Sequence, residues 1–122
     1  MREEEKIFKE VLFAPGDPEL KAIKLRTHNL CSEYNRTFED EVEKRQELIS
    51  KIFYEIGENS FLQGPIYIHY GKHTKIGHHF FANFNLTIQD DTWVIIGNHC
   101  SFCPNVTIVT PIHPMVASER RA

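Results

Sequence analysis

Apolar residues in the N-terminal part of the chain recur at helical spacing. The pattern predicts a short amphipathic helix over residues 5–13 and a second helix that runs to about Tyr34. Asp17 precedes Pro18 at the start of the second helix. Aspartate at the N-cap, with proline at the first helical position, is typical of a helix start. This part of the chain is therefore predicted to be helical.

A third helix is predicted to start near Thr37 and to end at Gly57. Thr37 followed three residues later by Asp40 is an N-cap signal, and a glycine directly after the last apolar residue is a common helix end. Between them, the apolar positions form a stripe spaced by three and four residues. The members of this stripe are Val42, Leu48, Ile49, Ile52, Phe53 and Ile56.

Beyond Ile66 the helical spacing gives way to a period of six. The count starts at Tyr70 and is interrupted by a two-residue slip after Asp91, which is predicted to be an outward loop. The first positions of the hexads are Tyr70, Ile76, Ala82, Ile88, Ile96, Phe102 and Ile108, and the fifth positions are Thr74, Phe80, Leu86, Cys100 and Val106. A period of six is typical of triangular coils whose edges are short parallel strands. The alternative is ordinary strands with period-two alternation, which residues 92–96 also fit.

Together, these patterns predict a mainly β fold, a parallel β-helix preceded by an N-terminal α-helical segment. The predicted division places the helical segment at residues 1–60 and a partial β-helix at residues 61–122. Stacked repeats of this kind bury their inward row only on neighbouring coils, so about three repeats are normally needed.

Composition narrows the expected partners and compartment. The chain of 122 residues has a formal net charge of −3 and no basic stripe, so nucleic acid is not an expected partner. Its first residues lack the apolar core of a secretion signal, and no apolar run approaches the roughly 20 residues of a membrane span. Three cysteines, Cys31, Cys100 and Cys103, do not suggest a disulfide framework. We therefore expect a cytoplasmic protein with no membrane partner.

Several segments resemble the maltose and galactoside O-acetyltransferases, a family of hexapeptide-repeat acyltransferases. The strongest matching segment runs from Phe81 to Ile88 and is followed further on by His113-Pro114. The other matching segments are Asp17-Pro18-Glu19-Leu20, Tyr34-Asn35, Glu43-Lys44-Arg45, Ile56-Gly57-Glu58-Asn59, Asp90-Asp91, Ile96-Gly97 and Pro104-Asn105-Val106. The resemblance implies a left-handed parallel β-helix that assembles as a cytosolic homotrimer, with active sites between neighbouring subunits.

The resemblance also implies a reaction and its residues. Acetyl-CoA, as the co-substrate, would deliver acetyl directly to a hydroxyl of a galactoside, glucose or maltose-like sugar, and no metal would take part. The family's catalytic histidine falls on His113, and an imidazole is a suitable base for a hydroxyl at neutral pH. Asn83 and Asp91 fall on acceptor-binding positions of the family.

The chain departs from the family pattern at three places. A sugar-contact position that is serine or aspartate in the family is His69 here. The family's N-terminal aspartate aligns with Pro15, so Asp17, two residues later, is the substrate-binding candidate in that region. Relatives continue with several more coils that carry most of the coenzyme site, whereas this sequence stops at Ala122. The resemblance thus predicts a C-terminally truncated form whose coenzyme-binding residues are unknown.

Two other functions remain open from the sequence. Histidines on adjacent coils or subunits can bind zinc, as in the γ-class carbonic anhydrases that this fold resembles. The histidines in the repeat region are His69, His73, His78, His79, His99 and His113. Alternatively, a shortened β-helix could be a non-catalytic remnant that only assembles, because open parallel edges attract pairing.

Overall fold

The computed structural model describes residues 17–110, which form two helices followed by nine short strands. Helix α1 spans Pro18–Asn35, and helix α2 spans Val42–Ile52. The strands are β1 Glu55–Ile56, β2 Phe61–Leu62, β3 Ile66–Ile68, β4 Thr74–Ile76, β5 Phe81–Ala82, β6 Leu86–Gln89, β7 Val94–Ile96, β8 Ser101–Phe102 and β9 Thr107–Val109. Helix α1 agrees with the second predicted helix, whereas the helix predicted for residues 5–13 lies outside the described residues.

The nine strands form three parallel sheets, one on each side of a triangular coil. The strand orders are β1-β4-β7, β2-β5-β8 and β3-β6-β9. Paired residues lie 20 positions apart: Ile56 pairs with Ile76, and Ile76 pairs with Ile96. Successive coils therefore stack directly on one another. The predicted fold class, a parallel β-helix after a helical segment, is confirmed.

The hexad register was wrong at its first residue. Tyr70 does not point into the coil, because the inward position at this corner is Ile68, which pairs with Ile88. Tyr70 belongs instead to a two-residue insertion that recurs one coil later at Asp90. Its side chain is buried against Leu20 of α1, outside the coil interior. Tyr70 lies six positions before the inward residue Ile76, so it fits the period of six in the sequence. In the structure it packs against α1 instead of the coil interior.

The outward loop predicted after Asp91 includes the exposed Trp93, but two buried carboxylates precede it. Asp90 is 0% exposed and Asp91 is 7% exposed. The Asp90 carboxylate can be buried because it accepts hydrogen bonds from the Tyr70 N–H and the Thr74 hydroxyl, both at 2.8 Å. Buried carboxylates are tolerated when such donors replace water.

The third predicted helix is shorter than expected at its N-terminal end. Helix α2 begins at Val42, with Glu41 as its N-cap. Thr37 instead closes α1, because its hydroxyl donates to the Tyr34 carbonyl at 2.5 Å. The N-cap signal therefore belonged to the end of one helix rather than to the start of the next.

The same helix is also shorter at its C-terminal end. It ends at Ile52, and Gly57 lies in the first coil, where its N–H donates to the Ile76 carbonyl at 3.0 Å. The first coil begins at Glu55, so the predicted division between residues 60 and 61 falls within it. Ile56 and Gly57 thus belong to the first coil, although Ile56 also fits the helical spacing of α2 in the sequence.

Corner residues stack in ladders along the coil axis. Asn59, His79 and His99 have left-handed backbone conformations with φ of 58°, 58° and 57°, and Asn85 and Asn105 share this conformation at another corner. The Asn85 side chain donates to Asn105 Oδ1 at 2.9 Å, and the rings of His79 and His99 stack 4.7 Å apart. Asparagine and histidine are enriched in this backbone region, so these two histidines have a structural reason to be there.

Helix α1 is fixed against the edge of the first coils. The Thr27 hydroxyl donates to the Tyr70 carbonyl at 2.7 Å. The Asn35 side chain accepts from the Ile66 N–H at 2.7 Å and donates to the Ile66 carbonyl at 2.9 Å. The face of α1 that carries Thr27 therefore lies next to the corner that follows β3.

Candidate functional site

Two of the predicted substrate-binding residues, His69 and Asp91, lie side by side at the corner that follows strands β3 and β6. Nδ1 of His69 is 3.8 Å from Oδ1 of Asp91, and both atoms are buried without a hydrogen-bond partner. The Asp91 side chain is 10% exposed, whereas the His69 side chain is 35% exposed. Most buried polar atoms in proteins are hydrogen-bonded, so two facing atoms without partners mark this corner as the candidate site.

A second histidine, His28 of α1, packs against this pair. Its ring centroid is 5.5 Å from that of His69, and the two rings are tilted by 57°. Burial lowers the pKa of His28, and the neighbouring His69 and Lys24 lower it further. The shift favours the neutral form of His28, whose ring packs against that of His69.

A buried network lies beneath the pair and is centred on Asp90. Burial raises the pKa of the Asp90 carboxyl, although the hydrogen bonds from Tyr70 and Thr74 oppose that rise. Nδ1 of His73 lies 2.8 Å from the Asp90 carbonyl. Tyr70 directly follows His69 in the chain, and Asp90 directly precedes Asp91. The network therefore fixes the backbone next to both site residues.

Asp17, the third predicted substrate-binding residue, has a structural role in the described structure. Its Oδ2 accepts the Glu19 N–H at 3.0 Å, which makes Asp17 the N-cap of α1. An N-cap aspartate satisfies one of the free N–H groups at a helix start. A role in substrate binding stays a prediction.

Asn83, the fourth, lies at a different corner. Its Oδ1 accepts the Phe84 N–H at 2.8 Å, and its backbone N–H donates to the Phe102 carbonyl at 3.1 Å. Strand β6, with four residues, separates this corner from that of Asp91. At about 3.3 Å per residue, such a strand spans about 13 Å. One chain therefore brings together His69 and Asp91 but holds Asn83 apart from them.

The predicted catalytic base, His113, lies outside the described residues, as does Pro15. Its position relative to the corner stays a prediction. Two residues of the corner had no predicted site role, His28 and Asp90, although the segment Asp90-Asp91 was part of the resemblance. His28 is far from His69 in sequence, and only the docking of α1 brings them together.

The comparisons with known proteins agree with this architecture. The maltose acetyltransferase hexapeptide capping motif matches residues 6–57. A galactoside O-acetyltransferase of Lactococcus lactis subsp. lactis (strain IL1403) is 40% identical over 117 residues, which is 95% of this chain and 56% of the relative. A galactoside O-acetyltransferase of Escherichia coli (strain K12) is 45% identical over 92 residues, or 75% of this chain and 45% of the relative. A solved galactoside acetyltransferase in complex with coenzyme A has a TM-score of 0.92 at 40% identity, covering 99% of this chain and 60% of that chain.

The chain is similar to the galactoside and maltose acetyltransferases over nearly its whole length. The resemblance seen in the sequence is thereby confirmed. The chain spans about half the length of the curated relatives it matches. The family match over residues 6–57 includes both described helices and the first strand, and the relatives extend it across the coils.

Between Asp17 and Thr110, no group of three or more His, Cys, Asp or Glu side chains is placed to hold a metal ion. Within the same range, neither helix is long and apolar enough to cross a membrane.

Proposed function

We propose that this protein is an acetyl-CoA-dependent O-acetyltransferase that acts on a hydroxyl of a sugar of the galactoside, glucose or maltose class. His113 is its general base, and its working form is a cytoplasmic homotrimer with sites between subunits. The observation that carries the proposal is the buried, unpartnered pair of His69 and Asp91 in a chain that is 40% identical to a galactoside O-acetyltransferase.

The separation of Asn83 from Asp91 supports a site between subunits. A hydrogen bond spans about 3 Å, and the two side chains stand at corners separated by a whole strand. If both contact one sugar acceptor, as the family resemblance implies, then they come from different chains. A closed cyclic trimer supplies this arrangement because each subunit presents a different corner to each neighbour.

The chemistry follows from the weak nucleophilicity of a sugar hydroxyl. His113 accepts the hydroxyl proton while the sugar oxygen bonds to the thioester carbonyl carbon. The carbon–sulfur bond then breaks, the acetyl group stays on the sugar, and the coenzyme thiolate takes the proton back from the imidazolium. Asp91 and Asn83 hold the acceptor in place, which lowers the entropic barrier to the transfer.

The co-substrate is proposed from the solved relative, which is a galactoside acetyltransferase in complex with coenzyme A. That structure superposes on 99% of this chain, but this chain spans only 60% of it.

The test combines activity with assembly state. The purified chain is incubated with acetyl-CoA and methyl β-galactoside, maltose or glucose, and thiol release and the acetylated sugar are measured together with the sedimentation mass. We expect sugar-dependent thiol release from a trimer. His113→Ala should lower the turnover by about 10²–10⁴-fold and leave the trimer intact, since a positioned base contributes about that much.

The control is Asp40→Ala, which changes an exposed carboxylate outside the corner and should leave turnover unchanged. A trimer that releases no thiol with any of the sugars would contradict the proposed enzyme and favour a non-catalytic assembly. Stoichiometric zinc in the purified protein, without acetyl transfer, would favour the zinc-enzyme alternative.

A further inference from the structure

His69 and Asp91 face each other at this corner, and the identity of their ligand rests on the proposed function. We propose that Asp91 holds His69 as the tautomer with hydrogen on Nδ1, so that Nε2 presents a lone pair to a hydroxyl of the sugar acceptor. His69 is then a specificity-determining residue that selects an acceptor with a hydrogen-bond donor at this position.

The geometry carries the first step. Nδ1 is the ring nitrogen that faces Asp91 Oδ1, and both atoms are buried. Their separation of 3.8 Å exceeds a hydrogen bond by several tenths of an ångström, so a small ring rotation closes it. A carboxylate accepts only, so the closed contact requires hydrogen on Nδ1.

The other charged and titratable groups near this corner have partners of their own. His28 packs against the His69 ring, with the two ring centroids 5.5 Å apart. Lys24 lies over the Tyr70 ring at 5.7 Å. The neighbouring carboxylate, Asp90, already accepts from Tyr70 and Thr74. Asp91 is thus the acceptor that His69 Nδ1 meets.

The exposed part of His69 leaves Nε2 available to a hydroxyl of the sugar. With Nδ1 buried, Nε2 is the ring nitrogen left for a ligand, and 35% of the side chain is exposed. A neutral imidazole with hydrogen on Nδ1 can only accept at Nε2. A serine hydroxyl, one of the family's residues at this position, both donates and accepts. His69 in this form therefore binds only a hydrogen-bond donor of the sugar, whereas a serine could bind either a donor or an acceptor.

The tautomer can be measured directly by imidazole ¹⁵N NMR of the full chain, and two other histidines provide internal references. His73 Nδ1 faces a backbone carbonyl at 2.8 Å, so it carries hydrogen. His78 Nδ1 accepts the Glu58 N–H at 2.9 Å, so its hydrogen is on Nε2. We expect the His69 nitrogen shifts to match the pattern of His73, and Asp91→Ala, which removes the acceptor, to abolish the match. A His69 pattern like that of His78 would overturn the inference, as would an unchanged pattern in the variant.

The role in ligand binding is tested by titrating methyl β-galactoside into two matched variants. In His69→Gln the amide oxygen can replace Nε2 as an acceptor, whereas in His69→Asn the shorter side chain replaces Nδ1. We expect wild-type-like affinity for the first and at least about tenfold weaker affinity for the second. Equal affinity of the wild type and both variants would overturn the specificity role and leave the proposed function standing. If neither the wild type nor either variant binds the sugar, the proposed function fails, and the tautomer measurement alone decides the contact with Asp91.

Discussion

Tyr70 and Asp90 occupy equivalent positions on successive coils, and the Asp90 carboxylate accepts the Tyr70 N–H at 2.8 Å. The same carboxylate accepts from the Thr74 hydroxyl at 2.8 Å. One buried side chain therefore joins two turns of the β-helix at the corner that presents His69 and Asp91.

Removing this carboxylate should destabilise the protein. Asp90→Ala leaves two buried donors without an acceptor, and each unsatisfied donor costs about 1–3 kcal/mol. We expect the free energy of unfolding to fall by about 3 kcal/mol in urea denaturation. The matched control is Asp40→Ala at an exposed position, which should change it by less than about 0.5 kcal/mol. Equal stability of the two variants would show that the Asp90 network contributes little.

The raised pKa of Asp90 also predicts a pH dependence. The folded state binds this proton more tightly than the unfolded chain, whose value is near 3.8. The resulting stabilisation is fully present below that value and is lost as the pH rises through the folded pKa. The stability of the wild type relative to Asp90→Asn should therefore decrease as the pH is raised above about 4. Urea unfolding of both proteins across this range measures the difference, and a constant or rising difference would contradict the shift.

Gly71 should be intolerant of a side chain. Its φ is +72°, and an added Cβ would lie 2.0 Å from the Ile52 carbonyl oxygen at the end of α2. Because both the conformation and the space exclude alanine, Gly71→Ala should lower the free energy of unfolding by at least about 2 kcal/mol. Gly97→Ala is the control, since a Cβ there meets no heavy atom within 4 Å. Thermal unfolding that ranks the two variants in the opposite order would mean that the α2 end moves freely.

If the proposed sites lie between subunits, complementation between variants is expected. Asn83→Ala and Asp91→Ala should each be inactive alone, yet co-assembled trimers should recover activity. In random mixtures, about a quarter of the sites combine an intact Asn83 from one chain with an intact Asp91 from its neighbour. Acetyl transfer by co-expressed variants, compared with a mixture of separately purified trimers, measures this. No recovery in confirmed mixed trimers would place both residues in one subunit's site.

The repeat could be predicted from sequence because its cause is local and regular. Every inward position must be apolar, so the rows that include Ile76, Ala82 and Ile88 stand out. The helix start at Asp17-Pro18 could be predicted for the same reason, since a cap depends on adjacent residues. These features require no knowledge of what packs against them.

The errors arose where one element covers another. Tyr70 imitated an inward residue because the helix that buries it, α1, lies far away in sequence. Ile56 fitted both the stripe of α2 and the first inward row, and only its pairing with Ile76 decides between them. His28 carried no local signal at all, because its contact with His69 exists only after α1 docks.

The recurrence of a two-residue insertion at one corner makes 20 residues the unit in which this β-helix can lengthen or shorten. A duplication or deletion of one whole unit would return every strand to an equivalent partner. A change of six residues would keep the inward rows but would move the insertion to another face, where Asp90 would no longer meet Tyr70. Insertions and deletions in the coils of this protein are therefore expected in multiples of 20 residues, because the contact between Asp90 and Tyr70 requires the corner to recur at that interval.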